Sequence, residues 1–233
     1  MSRQKTMAVI TARGGSKRIP RKNVKPFLGK PIMAYSIEAA VRSGIFDEVM
    51  VSTDDEEIAR IAGEAGAKVP FLRSAENAND FANTTDVMME VLQQYAARGE
   101  HFGYACCIYP TAPFVTAQRL TEAMHILTEN GADGVMPVVD FGFPPQRGVV
   151  EENGFIRFKQ PEYAFSRSQD LEPLYHDAGQ FYFLRTESFL AQKKLVMDKM
   201  VPMLLSRMEV QDIDTLEDWK IAELKYRLLH EGE

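Results

Sequence analysis

The chain has little cysteine, no long apolar run and, over one basic stretch, no acidic residue at all. Each shortage narrows what it can be. Cys106 and Cys107 are the only cysteines among 233 residues, adjacent within an apolar run. Adjacent residues on a strand point to opposite faces, so buried free thiols are expected there rather than a disulfide or a metal site. No stretch approaches the roughly 20 apolar residues that span a bilayer, and Met1-Ser2-Arg3-Gln4-Lys5 lacks the apolar core of a signal peptide. A cytoplasmic protein without a membrane partner is expected. The formal net charge of -6 argues against general nucleic-acid binding, which needs a broad basic surface. Internal repeats and low-complexity tracts are also missing.

What is present is an alternation of strand and helix patterns. An apolar fraction of 45% supports one substantial core, so a single domain over residues 1-233 is expected. Strands are predicted at Met7 to Ala12, Glu48 to Thr53, Val69 to Leu72, Tyr104 to Tyr109, Gly134 to Val139 and Gly179 to Arg185, followed by a segment of unassigned type at about Met200 to Leu205. Helices are predicted from Pro31 towards Gly44, from an Asp54 or Asp55 cap to Gly66, from about Thr85 to Ala97, after Thr116, and after Thr215. This order predicts an α/β fold, a doubly wound and mostly parallel sheet. Around residues 140-178 the texture changes to Pro- and Gly-rich, and Asn153-Gly154 between alternating residues predicts a β-hairpin.

The densest chemistry lies behind the first strand, in Ala12-Arg13-Gly14-Gly15-Ser16-Lys17-Arg18-Ile19-Pro20-Arg21-Lys22-Asn23. From Arg13 to Lys30 there are seven cations and no Asp or Glu. Glycines let backbone amides approach an anion, and Arg and Lys add a planar fork and a point charge. A polyphosphate grip is the reading. It is neither a P-loop, because no Gly-Lys-Ser/Thr follows at the required spacing, nor a dinucleotide fingerprint, of which Gly14-Gly15 is the only trace.

This segment, followed by Gly29-Lys30-Pro31, resembles the first motif of the CMP-sugar-acid synthetases, cytidylyltransferases acting on sialic-acid-like nonulosonic acids. The resemblance implies CTP as a partner, held by Ala12, Arg13, Gly14, Gly15, Ser16, Lys17, Lys22 and Asn23, with Arg13 and Lys22 on the phosphates. Phe71-Leu72-Arg73-Ser74-Ala75-Glu76, with Asp80 and Thr84, is similar to the second nucleotide segment of that family. It implies that Arg73, Asp80 and Thr84 contact the nucleotide. Tyr109-Pro110-Thr111-Ala112-Pro113, at the carboxyl end of a buried strand, sits where open α/β sheets place ligands. The sialate branch usually opens that element with Gln, and the phenol of Tyr109 cannot reproduce the donor and acceptor set of an amide.

Phe165 to Leu171 and Tyr175 to Tyr182 combine cations, amides, a carboxylate and aromatics, suited to a polyhydroxylated acid. They resemble the pseudaminic acid branch more closely than the sialate branch. Tyr109, Gln169, Tyr175, His176, Asp177, Gln180 and Tyr182 are the candidate acceptor contacts, and Arg147 or Arg167 could fork the sugar carboxylate. Asp212 and Asp214 flank Ile213, so in an extended segment both carboxylates share one face, an arrangement suited to Mg²⁺. The family resemblance implies that this pair holds the metal, and that the hairpin excursion joins a homodimer. The expected activity is CMP transfer from CTP to a nonulosonic acid, most like pseudaminic acid, with Arg13, Lys22, Asp212 and Asp214 catalytic. A CMP-sialate or CMP-legionaminate synthetase, or a catalytically silent nucleotide-binding relative, are the alternatives.

Overall fold

A computed structural model describes residues 4-79 and 82-231. In chain order the strands are β1 (Thr6–Thr11), β2 (Pro26–Phe27), β3 (Lys30–Pro31), β4 (Glu48–Ser52), β5 (Tyr104–Ile108), β6 (Gly134–Asp140), β7 (Val149–Glu152), β8 (Phe155–Phe158), β9 (Tyr175–Asp177), β10 (Phe181–Arg185) and β11 (Met200–Leu204). The helices are α1 (Ile32–Ser43), α2 (Glu56–Glu64), α3 (Ala75–Ala78), α4 (Thr84–Ala96), α5 (Ala117–Glu129), α6 (Thr186–Gln192) and α7 (Leu216–His230). Local chemistry sets most of these boundaries. Pro31 precedes α1 with its φ already fixed, and Gly44 ends that helix at φ 65°. The Asp55 carboxylate accepts the Ile58 amide at 3.0 Å to start α2. Asn83 with Asp86, and Thr215 with Asp218, close reciprocal capping boxes on α4 and α7.

The central sheet runs β11-β6-β10-β5-β1-β4, with β9 pairing the end of β6. β1 is parallel to β4 and β5, and β11 is parallel to β6. β10 enters antiparallel between β5 and β6, and β9 is also antiparallel. The doubly wound, mostly parallel sheet is therefore as expected. Helices bury one face over Ala8, Ile10, Cys106, Leu120 and Phe183, and the other over Val9, Met88, Val91, Cys107 and Phe189. Successive residues of β5 thus enter different cores, as the pleat requires.

Cys106 and Cys107 are buried free thiols. Burial raises the Cys106 thiol well above its usual range and pushes Cys107 up to about 12. The thiolate is the reactive form, so neither cysteine is expected to react with a water-soluble thiol reagent at pH 8 in the native protein. Both should react in denaturant. Labelling followed by intact-mass measurement checks this, and rapid native labelling would contradict the burial.

Two expectations need correction. No strand forms over Val69 to Leu72: only Lys68 bridges to Met50, because Pro70 has no amide with which to continue the ladder. The spacing of Met33, Ile37, Ala40 and Val41 predicts that all four share the apolar face of α1, but Val41 is 45% exposed while Met33, Ile37 and Ala40 are buried. Between β6 and β9, β7 and β8 form a separate hairpin, turned by Asn153 and Gly154 at φ 55° and 81°. That pair of left-handed residues matches the strand twist. Among the described residues no helix is long and apolar enough to cross a membrane.

Candidate active site

The carboxyl ends of β1, β4, β5, β6 and β11 lie on one edge of the sheet, joined there by the amino end of the antiparallel β10. The basic loop follows β1 at this edge, and the Tyr109 element follows β5 there. The basic loop leaves β1 through buried Ala12, whose amide donates to the Ser52 carbonyl at 3.0 Å. Buried Asn23 closes the loop by donating from Nδ2 to the Arg13 carbonyl at 2.8 Å. A Cβ on Gly14 would stand 2.8 Å from Asp55 Oδ2, so glycine permits the loop to lie against the start of α2. Arg13, Gly14, Gly15, Ser16 and Lys17 line an open depression of about 580 Å³. Arg13 Nη1 donates to the Asn79 carbonyl across it at 3.2 Å.

The other cations of the loop divide their work. Arg21 pairs with Asp55 and Glu57 and so holds the loop to α2. Arg18 reaches the other way, its Nη1 lying 2.6 Å from Asp214 Oδ2. Lys22 donates to the Ile213 carbonyl at 2.7 Å and lies 3.8 Å from Asp214 Oδ1. Desolvation lowers its pKa below that of a free lysine, against the opposing fields of Asp214 and Asp212.

An apolar cluster explains why residues so distant in sequence meet. Ile19 of the loop and Ile213 of the aspartate pair are both buried with Phe27, Ile32, Phe114 and Trp219. Ile213 is 1% exposed, so its neighbours Asp212 and Asp214 are turned outward on either side of it. These hard oxygens suit a magnesium ion, which takes one or two carboxylates and completes its shell with waters and substrate phosphates. Among the described residues there is no cluster of three or more His, Cys, Asp or Glu that would make an all-protein cage. The site fits a shared, phosphate-completed ion.

Arg73 is 8% exposed, and its Nε and Nη2 donate to Ser52 Oγ at 3.0 Å and to the Ser52 carbonyl at 2.6 Å. Burial lowers its pKa, and it lies within the fields of Asp54, Glu90 and Arg13. It therefore braces the end of β4 behind Arg13. Thr84 is the first residue of α4, but Asn83 is the cap. Asp80 lies outside the described residues.

Next to the aspartate pair is a cavity of about 480 Å³, lined by Tyr109, Thr111, His176, Asp177, Arg207 and Asp212 among others. Tyr109 and Tyr182 meet edge to face at 5.9 Å, and the Tyr182 hydroxyl donates to Asp177 Oδ2. Asp177 Oδ1 accepts the Gly179 amide at 2.8 Å. Burial, with the Asp177 bond added, raises the Tyr182 pKa, so this phenol stays protonated and fixes the carboxylate at the cavity wall. The His176 ring leans on Phe141, with centroids 4.9 Å apart.

Several expected acceptor contacts fall elsewhere. Gln180 is buried and donates from Nε2 to the Glu209 carbonyl at 2.5 Å, which makes it a brace between β10 and the segment before Asp212. Tyr175 is exposed on β9, at the Asp140 end of β6. Arg147, Arg167 and Gln169 lie in the excursion, and Arg167 is paired with Asp170 at 2.7 Å. None of those three lines the cavity. Thr111, from the element opened by Tyr109, also lines it, as do Arg207 and Gln211, which were not singled out in the sequence. The available signal for Arg207 was its position in a loop at the carboxyl end of a strand.

A basic loop, an aspartate pair and an adjoining polar cavity meet at the carboxyl edge of a doubly wound sheet, an arrangement that suits an α/β nucleotidyltransferase. Solved structures agree on the fold: CMP:2-keto-3-deoxy-manno-octonic acid synthetase complexed with CTP superposes with a TM-score of 0.69 at 16% identity, covering 97% of this chain and 99% of that one. The chain belongs to the cytidylyltransferase family, whose sequence pattern matches residues 7–230. Among curated relatives, the pseudaminic acid cytidylyltransferase of Campylobacter jejuni subsp. jejuni is 40% identical over 230 residues, which are 98% of this chain and 99% of that protein. The CMP-N,N'-diacetyllegionaminic acid synthase of Legionella pneumophila subsp. pneumophila is 32% identical over 97% of this chain and 98% of its own length.

Proposed function

We propose that the protein transfers CMP from CTP to the anomeric hydroxyl of pseudaminic acid and releases pyrophosphate, as a Mg²⁺-dependent cytoplasmic homodimer. One observation carries the two-substrate reading. Lys22 of the phosphate loop bonds to the backbone of Ile213, while the neighbouring Asp212 lines the acceptor cavity. The nucleotide grip and the acceptor pocket therefore share a boundary at Asp212 and Asp214. The 40% identity to a pseudaminic acid cytidylyltransferase, and the phenol of Tyr109 on the cavity wall where the sialate branch usually has Gln, support pseudaminic acid over N-acetylneuraminic acid.

In this reading the acceptor oxygen bonds to the α-phosphorus as the bond from that phosphorus to the departing pyrophosphate breaks, and the hydroxyl proton is released. Arg13, Lys17 and the Gly15 amide hold the departing phosphates, where charge accumulates, while the Gly14 amide is held by Asp54 at 3.0 Å. Such donors act by being in place before the charge develops. Lys22 presents its ammonium beside the aspartate pair, and the cavity holds the acceptor against this boundary. Mg²⁺ held by Asp212 and Asp214 would polarise phosphate oxygens and acidify the attacking hydroxyl.

Incubating the protein with CTP, Mg²⁺ and separate pseudaminic, legionaminic and N-acetylneuraminic acids tests the assignment. Pyrophosphate and a CMP-sugar are expected with pseudaminic acid. A preference for either other sugar would reassign the acceptor, and no pyrophosphate from any of them would favour a silent nucleotide-binding protein.

The dimer reading rests on the hairpin. Phe155 and Ile156 are 77% and 75% exposed at the start of β8, an apolar pair that costs solubility unless covered. Replacing both with Asp is expected to convert a dimer to a monomer in light scattering. An unchanged mass would remove the hairpin from the interface.

A further inference from the structure

We infer that Arg207 receives the carboxylate of the acceptor sugar and makes an acidic acceptor a requirement of the reaction. This rests on the acceptor-cavity reading above. An anion entering the cavity meets Asp177 and Asp212 on its walls, so it needs a cation presented to it. Arg207 and Lys225 are the lysine and arginine side chains lining this cavity, and they differ in what they have left to offer. Lys225 donates to the Val210 carbonyl at 2.8 Å and the Arg207 carbonyl at 3.1 Å, and burial lowers its pKa. It is committed to the backbone.

Arg207 is held differently. Its Nε donates to Asp140 Oδ1 at 3.0 Å, and its Nη2 reaches Asp140 Oδ2 and the Phe141 carbonyl. These bonds fix the guanidinium plane from one side and leave the Nη1 edge out of the pairing. That edge faces Gly142, where even an added Cβ would lie 3.9 Å from Nη1. With Nε and both Nη2 hydrogens spent on Asp140 and the Phe141 carbonyl, the Nη1 hydrogens of this anchored guanidinium are left to give a carboxylate a charge-assisted hydrogen bond.

The backbone under Arg207 is equally fixed. Ser206 and Glu209 close a capping box around the turn Arg207–Glu209, Glu209 pairs with Arg119 at 2.9 Å, and the Leu205 amide donates to Val138 at 2.9 Å. In a 2-ulosonic acid the carboxylate and the anomeric hydroxyl share one carbon. A guanidinium that holds the carboxylate therefore also aims the attacking oxygen.

The test compares wild type, Arg207→Met and Arg207→Lys on pseudaminic acid and on its carboxamide. The charge-assisted bond from Nη1 is lost in the methionine variant, so its acceptor KM is expected to rise about 10- to 10²-fold. The KM for CTP and the Mg²⁺ titration should stay at wild-type values. Wild type should prefer the carboxylate strongly, Arg207→Met should lose that preference, and Arg207→Lys should recover part of it. An unchanged acceptor KM, or equal losses on carboxylate and carboxamide, would overturn the assignment of Arg207 alone. A wild-type enzyme that turns over no nonulosonic acid would overturn the functional reading and this inference with it.

Discussion

Arg13→Ala is expected to slow CTP-dependent pyrophosphate release by about 10²- to 10³-fold, the usual cost of removing one preorganised charge donor. The reason lies in what the side chain does and does not hold. Asn23 closes the loop onto the Arg13 carbonyl, a backbone group that alanine retains. Ala12 pairs with Ser52 through its own amide, and Ile19 stays in its apolar pocket. The bond from Nη1 to the Asn79 carbonyl is lost, worth about 1 kcal/mol at an exposed position. Near-normal turnover would sink the assignment of this loop to the phosphates.

Asp214→Asn should change the metal requirement more than any other property. Asp214 lies outward beside buried Ile213 and already attracts Arg18 and Lys22, which shows how strongly its field draws cations. An amide offers one weaker oxygen and no charge. Loss even of an outer-shell partner typically weakens metal binding 10- to 100-fold, so loss of a direct ligand should raise the half-saturating Mg²⁺ by at least about 10²-fold. Turnover at saturating metal should fall as well, because the Lys22 ammonium loses its partner. Titrating Mg²⁺ against initial rate at fixed CTP reads this directly. An unchanged titration would take Asp214 out of the metal site.

Much of the architecture was legible in local patterns, because each depends on residues a few positions apart. The alternation of strands and helices follows from apolar periodicity, the α7 start from Thr215 and Asp218, and the hairpin from Asn153-Gly154. Val69 to Leu72 misled because an apolar stretch resembles a strand until Pro70 is asked for an amide it does not have. The cations of the loop were visible as a group, yet nothing local separates Arg21, which ties down α2, from Arg18, which turns to Asp214.

From residue types and spacing alone came the α/β order, the anion-binding character of Ala12 to Asn23, and the shared face of Asp212 and Asp214 around an inward isoleucine. Those are consequences of backbone period and side-chain chemistry. Folding was needed to bring Lys22 to Ile213 across 191 positions and Arg207 to Asp140 across 67. It also turned Gln180 away from the cavity and Arg207 into it. Such pairings depend on which strands lie side by side and on two isoleucines, Ile19 and Ile213, sharing one apolar pocket. Burial energy acts on surfaces that meet only in three dimensions, so no window of neighbouring residues contains it.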